Sequence, residues 1–152
     1  MNLEEFRRKY PAQTMTLDNG KSFTYRYYRN PKAAATVVLL TGGIGLSDLF
    51  YRHFEWFAGD FSVLTFDYQI QFADNGEFAD AVAELLHHLK EKAWLVGQSL
   101  GGVVAQVIAF RHPEAVEGLI PPQVHHTGCG YGLFRRARKD ELKKLVCEYQ
   151  AV

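Results

Sequence analysis

Apolar residues are distributed along this chain in two distinct ways. Residues 12–28 alternate between apolar and polar positions around Asp18-Asn19-Gly20-Lys21, and Asn-Gly is a strong hairpin turn signal. The alternation predicts an antiparallel pair with Phe23, Tyr25 and Tyr27 on one face, ended by Arg29-Asn30-Pro31-Lys32. Beyond that point the apolar residues come in unbroken runs: Thr36 to Leu40, Phe61 to Phe66, Ala93 to Val96, and a last run from Val116 to Ile120. Such runs are the mark of parallel strands buried on both faces. The segments between them change period. Phe50, Phe54 and Phe57 predict an amphipathic helix over 48–58, capped by Ser47 or Asp48. Phe78, Val82, Leu85, Leu86 and Leu89 predict a second helix following Asn75-Gly76. Val103, Val104, Val107 and Ile108 predict the buried side of a third, which Arg111-His112-Pro113 ends. Hairpin followed by β-α-β-α-β-α-β implies an α/β fold, a doubly wound and mostly parallel sheet with an N-terminal antiparallel hairpin.

That pattern fills residues 1–120, and residues 121–152 form an atypical tail. Pro121 to Gly130 is irregular and rich in breakers, whereas Leu142, Leu145, Val146 and Tyr149 predict a closing helix over 133–149. The chain has 152 residues and 47% hydrophobic content, enough for one globular domain with a substantial core. Seventeen basic and seventeen acidic residues cancel, which argues against nucleic acid and against anionic membrane surfaces as partners. The basic cluster Arg135-Arg136-Ala137-Arg138-Lys139 reads as a solvated helix face, partly balanced by Asp140 and Glu141. Met1 to Arg8 is charged, without the apolar stretch of a signal peptide, and no run approaches the roughly 18 apolar residues of a membrane span. Cys129 and Cys147 offer neither metal-ligand spacing nor a disulfide framework. The expected compartment is the cytoplasm.

The candidate chemistry lies in Trp94-Leu95-Val96-Gly97-Gln98-Ser99-Leu100-Gly101-Gly102-Val103-Val104. A short strand ends in Gly-x-Ser-x-Gly with a helix directly behind it. A turn this tight holds the serine in a strained conformation with its hydroxyl clear of the sheet. A Cβ at Gly97 or Gly101 would collide with the neighbouring strand or helix. The helix start leaves backbone N–H groups free, and that of Leu100 is suited to face a developing oxyanion. The alternative is a glycine-rich turn without chemistry.

With this elbow, the earlier turn Leu40-Thr41-Gly42-Gly43 and the order of elements around them, the chain resembles the α/β-hydrolase family over residues 12–120. The resemblance implies the N-terminal portion of that fold, a truncated α/β-hydrolase, and covalent serine catalysis on a carboxylic ester or related acyl bond of a small molecule. It implies Ser99 as nucleophile and the backbone N–H of Leu100 as half of the oxyanion hole. The other half falls to the Gly43 N–H, with Ile44 as second choice; Thr41 stands where the family often has His. No metal or organic cofactor is required.

The family places its acid after the seventh strand and its histidine after the eighth, in the order Ser, Asp/Glu, His. This chain reaches a sixth strand at Ile120, and residues 121–152 do not continue the pattern. Three readings are open: a truncated or frame-shifted member, a compact variant with a rebuilt triad, or a non-catalytic remnant kept for binding. The abrupt loss of pattern at Pro121 favours the first. His125 or His126, just past the sixth strand, lies at the same sheet edge as the elbow, and strands are only about 4.8 Å apart. Either is the substitute base, with Asp140 or Glu141 to orient it; the plainer reading is a solvated histidine pair. Asp67, ending a strand on that edge, reads as a partner for loop backbone around the glycine turn. His53, His87 and His88 read as surface residues. The outer edge of the sixth strand would present unpaired backbone, from which self-association or partner capture is expected unless the last helix covers it.

Overall fold

The computed structural model describes residues 1–69 and 71–120. The alternating segment forms the hairpin, with β1 (Gln13–Thr16) antiparallel to β2 (Ser22–Tyr28) and Thr16 opposite Ser22. Phe23 and Tyr25 are buried and Tyr27 half-buried, as a period of two requires. The unbroken runs form β3 (Thr36–Leu40), β4 (Ser62–Phe66) and β5 (Ala93–Gly97), each buried at every position, and then β6 (Val116–Ile120). Across the sheet the order is β1-β2-β4-β3-β5-β6. The β4, β3, β5 and β6 pairings are parallel, and β2 joins β4 antiparallel. The result is the mixed, mostly parallel sheet that the chain pattern implies.

Among the described residues four α-helices cover it: α1 (Leu3–Lys9), α2 (Tyr51–Ala58), α3 (Asn75–Leu89) and α4 (Leu100–Arg111). Alternation within β3 separates the two cores. Val37 and Leu39 pack with Phe6, Phe54 and Phe57 beneath α1 and α2. Val38 and Leu40 pack with Val82, Leu85 and Ile108 beneath α3 and α4. Helices therefore lie on both faces of the sheet. At the C-terminal edge, Leu40 is paired with Gly97, so the chain leaves β3 and β5 from adjacent points. That pairing brings the glycine turn and the Gly-x-Ser-x-Gly segment together.

The structure departs from the sequence reading in several places. Helix α1 is not anticipated by apolar spacing, because Phe6 is its one buried residue. Asn2 and Glu5 form a capping box, each side chain accepting from the other's backbone N–H, which suits a short charged helix. Over 48–58, a 3₁₀ turn spans Ser47–Phe50 and the α-helix begins only at Tyr51. Neither Ser47 nor Asp48 caps it, because the helix starts beyond both and Phe50 stands at its cap position. The Ser47 N–H donates to Asp67 Oδ1 at 2.7 Å, and the Asp48 carboxylate accepts from Arg7 and Arg26. In α3, Asn75 is the first helical residue and Asp74 is the cap, its carboxylate accepting from the Glu77 N–H at 2.8 Å. In α4, Val103 is 50% exposed, whereas Gly101, Val104, Ala105 and Ile108 face inward. The small Gly101 is what meets the sheet, and this rotates Val103 outward.

Candidate active site

The geometry at the end of β5 is set by two close approaches. A Cβ on Gly97 would lie 2.4 Å from the carbonyl carbon and oxygen of Gly101, and one on Gly101 would lie 2.2 Å from the Leu40 carbonyl oxygen. Only glycine lets the first turn of α4 fold back onto β5 while sitting against the end of β3. Between them the backbone reverses within a few residues. The Gly101 N–H donates to the Gln98 carbonyl at 2.9 Å, the Gly102 N–H to that of Ser99 at 2.9 Å, and the Gln98 N–H to that of Leu40 at 3.0 Å. Ser99 is left at φ 52°, ψ −118°, one of two non-glycine residues with positive φ among those described. Such backbone strain costs on the order of 1–3 kcal/mol and persists only where the surroundings over-determine it. The side chain is exposed, and its hydroxyl has no hydrogen-bond partner among the described residues.

Directly behind Ser99, the Leu100 N–H is a first-turn donor of α4 and has no acceptor among the described residues. The partial positive charge of the helix N-terminus adds to the field there. The glycine turn supplies matching groups. The Gly45 N–H donates to the Gly42 carbonyl at 2.9 Å, closing a turn whose central residues are Gly43 and Ile44. The N–H groups of both have no acceptor among the described residues. The turn lies against the elbow: a Cβ on Gly42 would be 3.8 Å from Ser99 Cβ and 3.6 Å from the Gln98 carbonyl oxygen. The surrounding surface is apolar, with Ile44 72%, Leu46 49% and Leu100 37% exposed. An exposed hydroxyl beside unpaired N–H donors and apolar side chains is suited to an acyl group, whose carbonyl oxygen takes the donors while its chain takes the apolar wall.

The remaining sequence candidates separate clearly. Asp67 does hold loop backbone, through Ser47. The helix α3 runs back from the C-terminal edge of the sheet, so His87 and His88 in its last turn are exposed at the far edge. His112 follows the 12 residues of α4, about 18 Å along the helix from the elbow, with its ring between Asp80 and Glu114. His53 is half-buried rather than a surface residue; its ring packs on Phe50 with centroids 5.1 Å apart, and burial lowers its pKa. His125, His126, Asp140 and Glu141 lie outside the described residues. So do Cys129, Cys147, the basic cluster at 135–139 and the helix expected over 133–149. The structure therefore brings together Ser99, Leu100 and Gly43, and sets His87, His88 and His112 away from them.

Sequence reasoning missed Tyr68. Its hydroxyl donates to the Thr41 carbonyl, and its N–H donates to the Gly45 carbonyl at 2.8 Å. The only local signal is its place directly after Asp67 at a strand end. Among the described residues no three or more His, Cys, Asp or Glu side chains are arranged to hold a metal ion, and no helix is long and apolar enough to cross a membrane.

No protein-family model matches the chain, and no curated protein matches it. Solved structures do. A hydrolase from Pseudomonas aeruginosa superimposes with a TM-score of 0.65 at 22% identity, covering 73% of this chain and 45% of its own. The carboxylesterase CesB from Bacillus subtilis gives 0.62 at 20% identity, covering 78% and 46%. An E-2-(acetamidomethylene)succinate hydrolase gives 0.64 at 17% identity, covering 76% and 45%. The fold of the described residues is that of the α/β-hydrolases, and the chain spans less than half the length of these structures.

Proposed function

We propose that this chain, built on the α/β-hydrolase fold, is a serine hydrolase acting on carboxylic esters or related acyl bonds. The observation that carries this is the strained, exposed Ser99 at the head of α4, flanked by the N–H groups of Leu100 and Gly43, which are unpaired among the described residues. Ser99 Oγ attacks the acyl carbon as its proton passes to a base. The negative charge that develops on the carbonyl oxygen is stabilised by the two N–H donors. The alcohol then leaves with a proton, and water releases the acyl group by the same route in reverse. Ile44 and Leu100, each adjacent in sequence to a reacting or donating group, form the apolar wall for a small acyl substrate. In this reading His125 or His126 is the base.

Labelling of the folded protein with a fluorophosphonate probe tests the assignment, with Ser99→Ala as control. Stoichiometric labelling that disappears in Ser99→Ala supports it. Absence of labelling in a folded sample overturns it.

A second reading, a catalytically incomplete hydrolase that binds partners, is favoured by one observation. The outward face of α4 carries large apolar side chains on either side of Gln106, with Val103 50% and Phe110 89% exposed. It lies beside β6, at the margin of the described sheet. A monodisperse monomer by light scattering at high concentration counts against self-association there.

A further inference from the structure

We propose that Tyr68 is the positioning residue of the glycine turn: it clamps residues 41–45 at both ends and so fixes the Gly43 N–H that the hydrolase reading uses. The proposal rests on that reading for its catalytic consequence and on geometry for the clamp itself. The turn has few other means of staying in place. Gly42 and Gly43 are adjacent glycines with the widest conformational freedom the backbone allows. The Thr41 hydroxyl, although the residue is 1% exposed, has no hydrogen-bond partner among the described residues. Tyr68, at the end of the adjacent β4, holds one end of the turn with its hydroxyl on the Thr41 carbonyl and the other with its N–H on the Gly45 carbonyl.

The side chain is also the surface on which the turn closes. Gly45 takes φ +68°, and a Cβ there would sit 2.9 Å from Tyr68 Cβ, so the turn is seated directly on the tyrosine. The ring is held in turn by Phe78, edge-on with centroids 5.3 Å apart. Burial pushes the phenol up to about 12, so it remains a protonated donor throughout the neutral range. The clamp thus links core packing beneath α3 to the position of one backbone N–H beside Ser99. Displacing an oxyanion donor by a fraction of an ångström weakens the transition state more than the bound substrate, so the effect belongs in kcat.

The experiment is Tyr68→Phe, which removes the hydroxyl and keeps both the ring and the Gly45 contact. Hydrolysis of a short-chain p-nitrophenyl ester, the rate of fluorophosphonate labelling and backbone amide exchange by NMR are measured together. The expected result is about a tenfold or greater fall in labelling rate and kcat with KM little changed. Faster exchange of the Gly45 amide is expected with it, while amides of β5 keep their protection. Phe54→Leu is the second variant: it loosens the core on the opposite face of the sheet and leaves Tyr68 and Phe78 untouched, and should lower the melting temperature without the fall in kcat. Equal labelling and equal Gly45 exchange in wild type and Tyr68→Phe overturn the proposal, and so does an equal fall in kcat in both variants. If the wild type itself fails to label, the serine-hydrolase reading falls. Gly45 exchange then decides the clamp alone, with faster exchange supporting it and unchanged exchange overturning it.

Discussion

The two ends of α4 are built on opposite principles. At its C-terminal end the polar groups are paired. Arg111 grips the Asp80 carboxylate with two hydrogen bonds, at 2.9 and 2.7 Å, and the His112 ring reaches the same carboxylate at 2.6 Å and Glu114 at 3.2 Å. The His112 N–H closes the helix on the Ile108 carbonyl at 2.8 Å. At the N-terminal end, Ser99 has positive φ, its hydroxyl and the Leu100 N–H are without partners among the described residues, and glycines replace side chains. One end is closed by its own pairs, while the other leaves a hydroxyl and an N–H open among the described residues. Local strain survives only where its surroundings hold it, and at Ser99 these are the close approaches of Gly97 to Gly101 and of Gly101 to Leu40.

The sharpest way to break this contrast is to add one carbon at the strained end. In Gly101→Ala the new Cβ would meet the Leu40 and Thr41 carbonyl oxygens at 2.2 and 2.5 Å, both backbone atoms of the neighbouring strand and its turn. Neither can move without shifting β3, so a loss of about 3 kcal/mol or more is expected, read from the urea midpoint. Gly43→Ala is the matched control. Nothing lies within 4 Å of its Cβ and its φ is not positive, so stability should hold within about 0.5 kcal/mol. Equal stability for both variants would mean that the elbow is not packed as described.

A smaller effect of opposite sign tests the strain directly. Ser99→Gly permits the observed φ of 52° without the Cβ penalty, against the entropy that glycine loses on folding. The net expectation is a gain of about 1 kcal/mol, or roughly 3 °C in melting temperature for a chain of this size. Ser99→Ala keeps the strained Cβ and should show no such gain, while both variants lose probe labelling. A Ser99→Gly that melts no higher than Ser99→Ala would show that the turn stores no strain.

How much of the molecule the sequence disclosed depends on the range of the interactions involved. The elbow was legible because Gly97, Ser99 and Gly101 constrain one another within a single turn, and the succession of strands along the chain, though not their order across the sheet, was legible from runs whose burial is a property of the segment itself. Helix α1 was hidden because one apolar residue, Phe6, carries its packing. The outward turn of Val103 depends on which face of α4 touches the sheet, and that is decided by Gly101 against Leu40. The Tyr68 clamp depends on partners at Thr41 and Gly45 that come within reach only once β4 lies beside β3. Periodicity carries no record of such contacts. For His53, apolar spacing located the helix but gave no sign that Phe50 would cover the ring.

The smallest effect is expected at the paired end. The Arg111 hydrogen bonds, with His112 adding to them, hold the Asp80 carboxyl below its usual range. Its side chain is 46% exposed, so solvent screening limits the contribution to less than about 1 kcal/mol. A depressed carboxyl pKa stabilises the fold above the unfolded value of about 3.9, and that stability disappears as pH falls through the lower folded value. Asp80→Asn should therefore lower the melting temperature slightly at neutral pH, and its curve should converge on that of the wild type in acid. Glu77 is also depressed, through the Ala73 N–H and Lys21, so the acid loss common to both proteins belongs to other carboxyls and the difference between them to Asp80. Labelling at Ser99 should be unchanged at neutral pH, because the clasp is a helix-length away and contributes no group to the elbow. A fall in labelling that tracked the loss of stability would show that the strained end depends on the paired end for its geometry, and that the two behave as one mechanical unit.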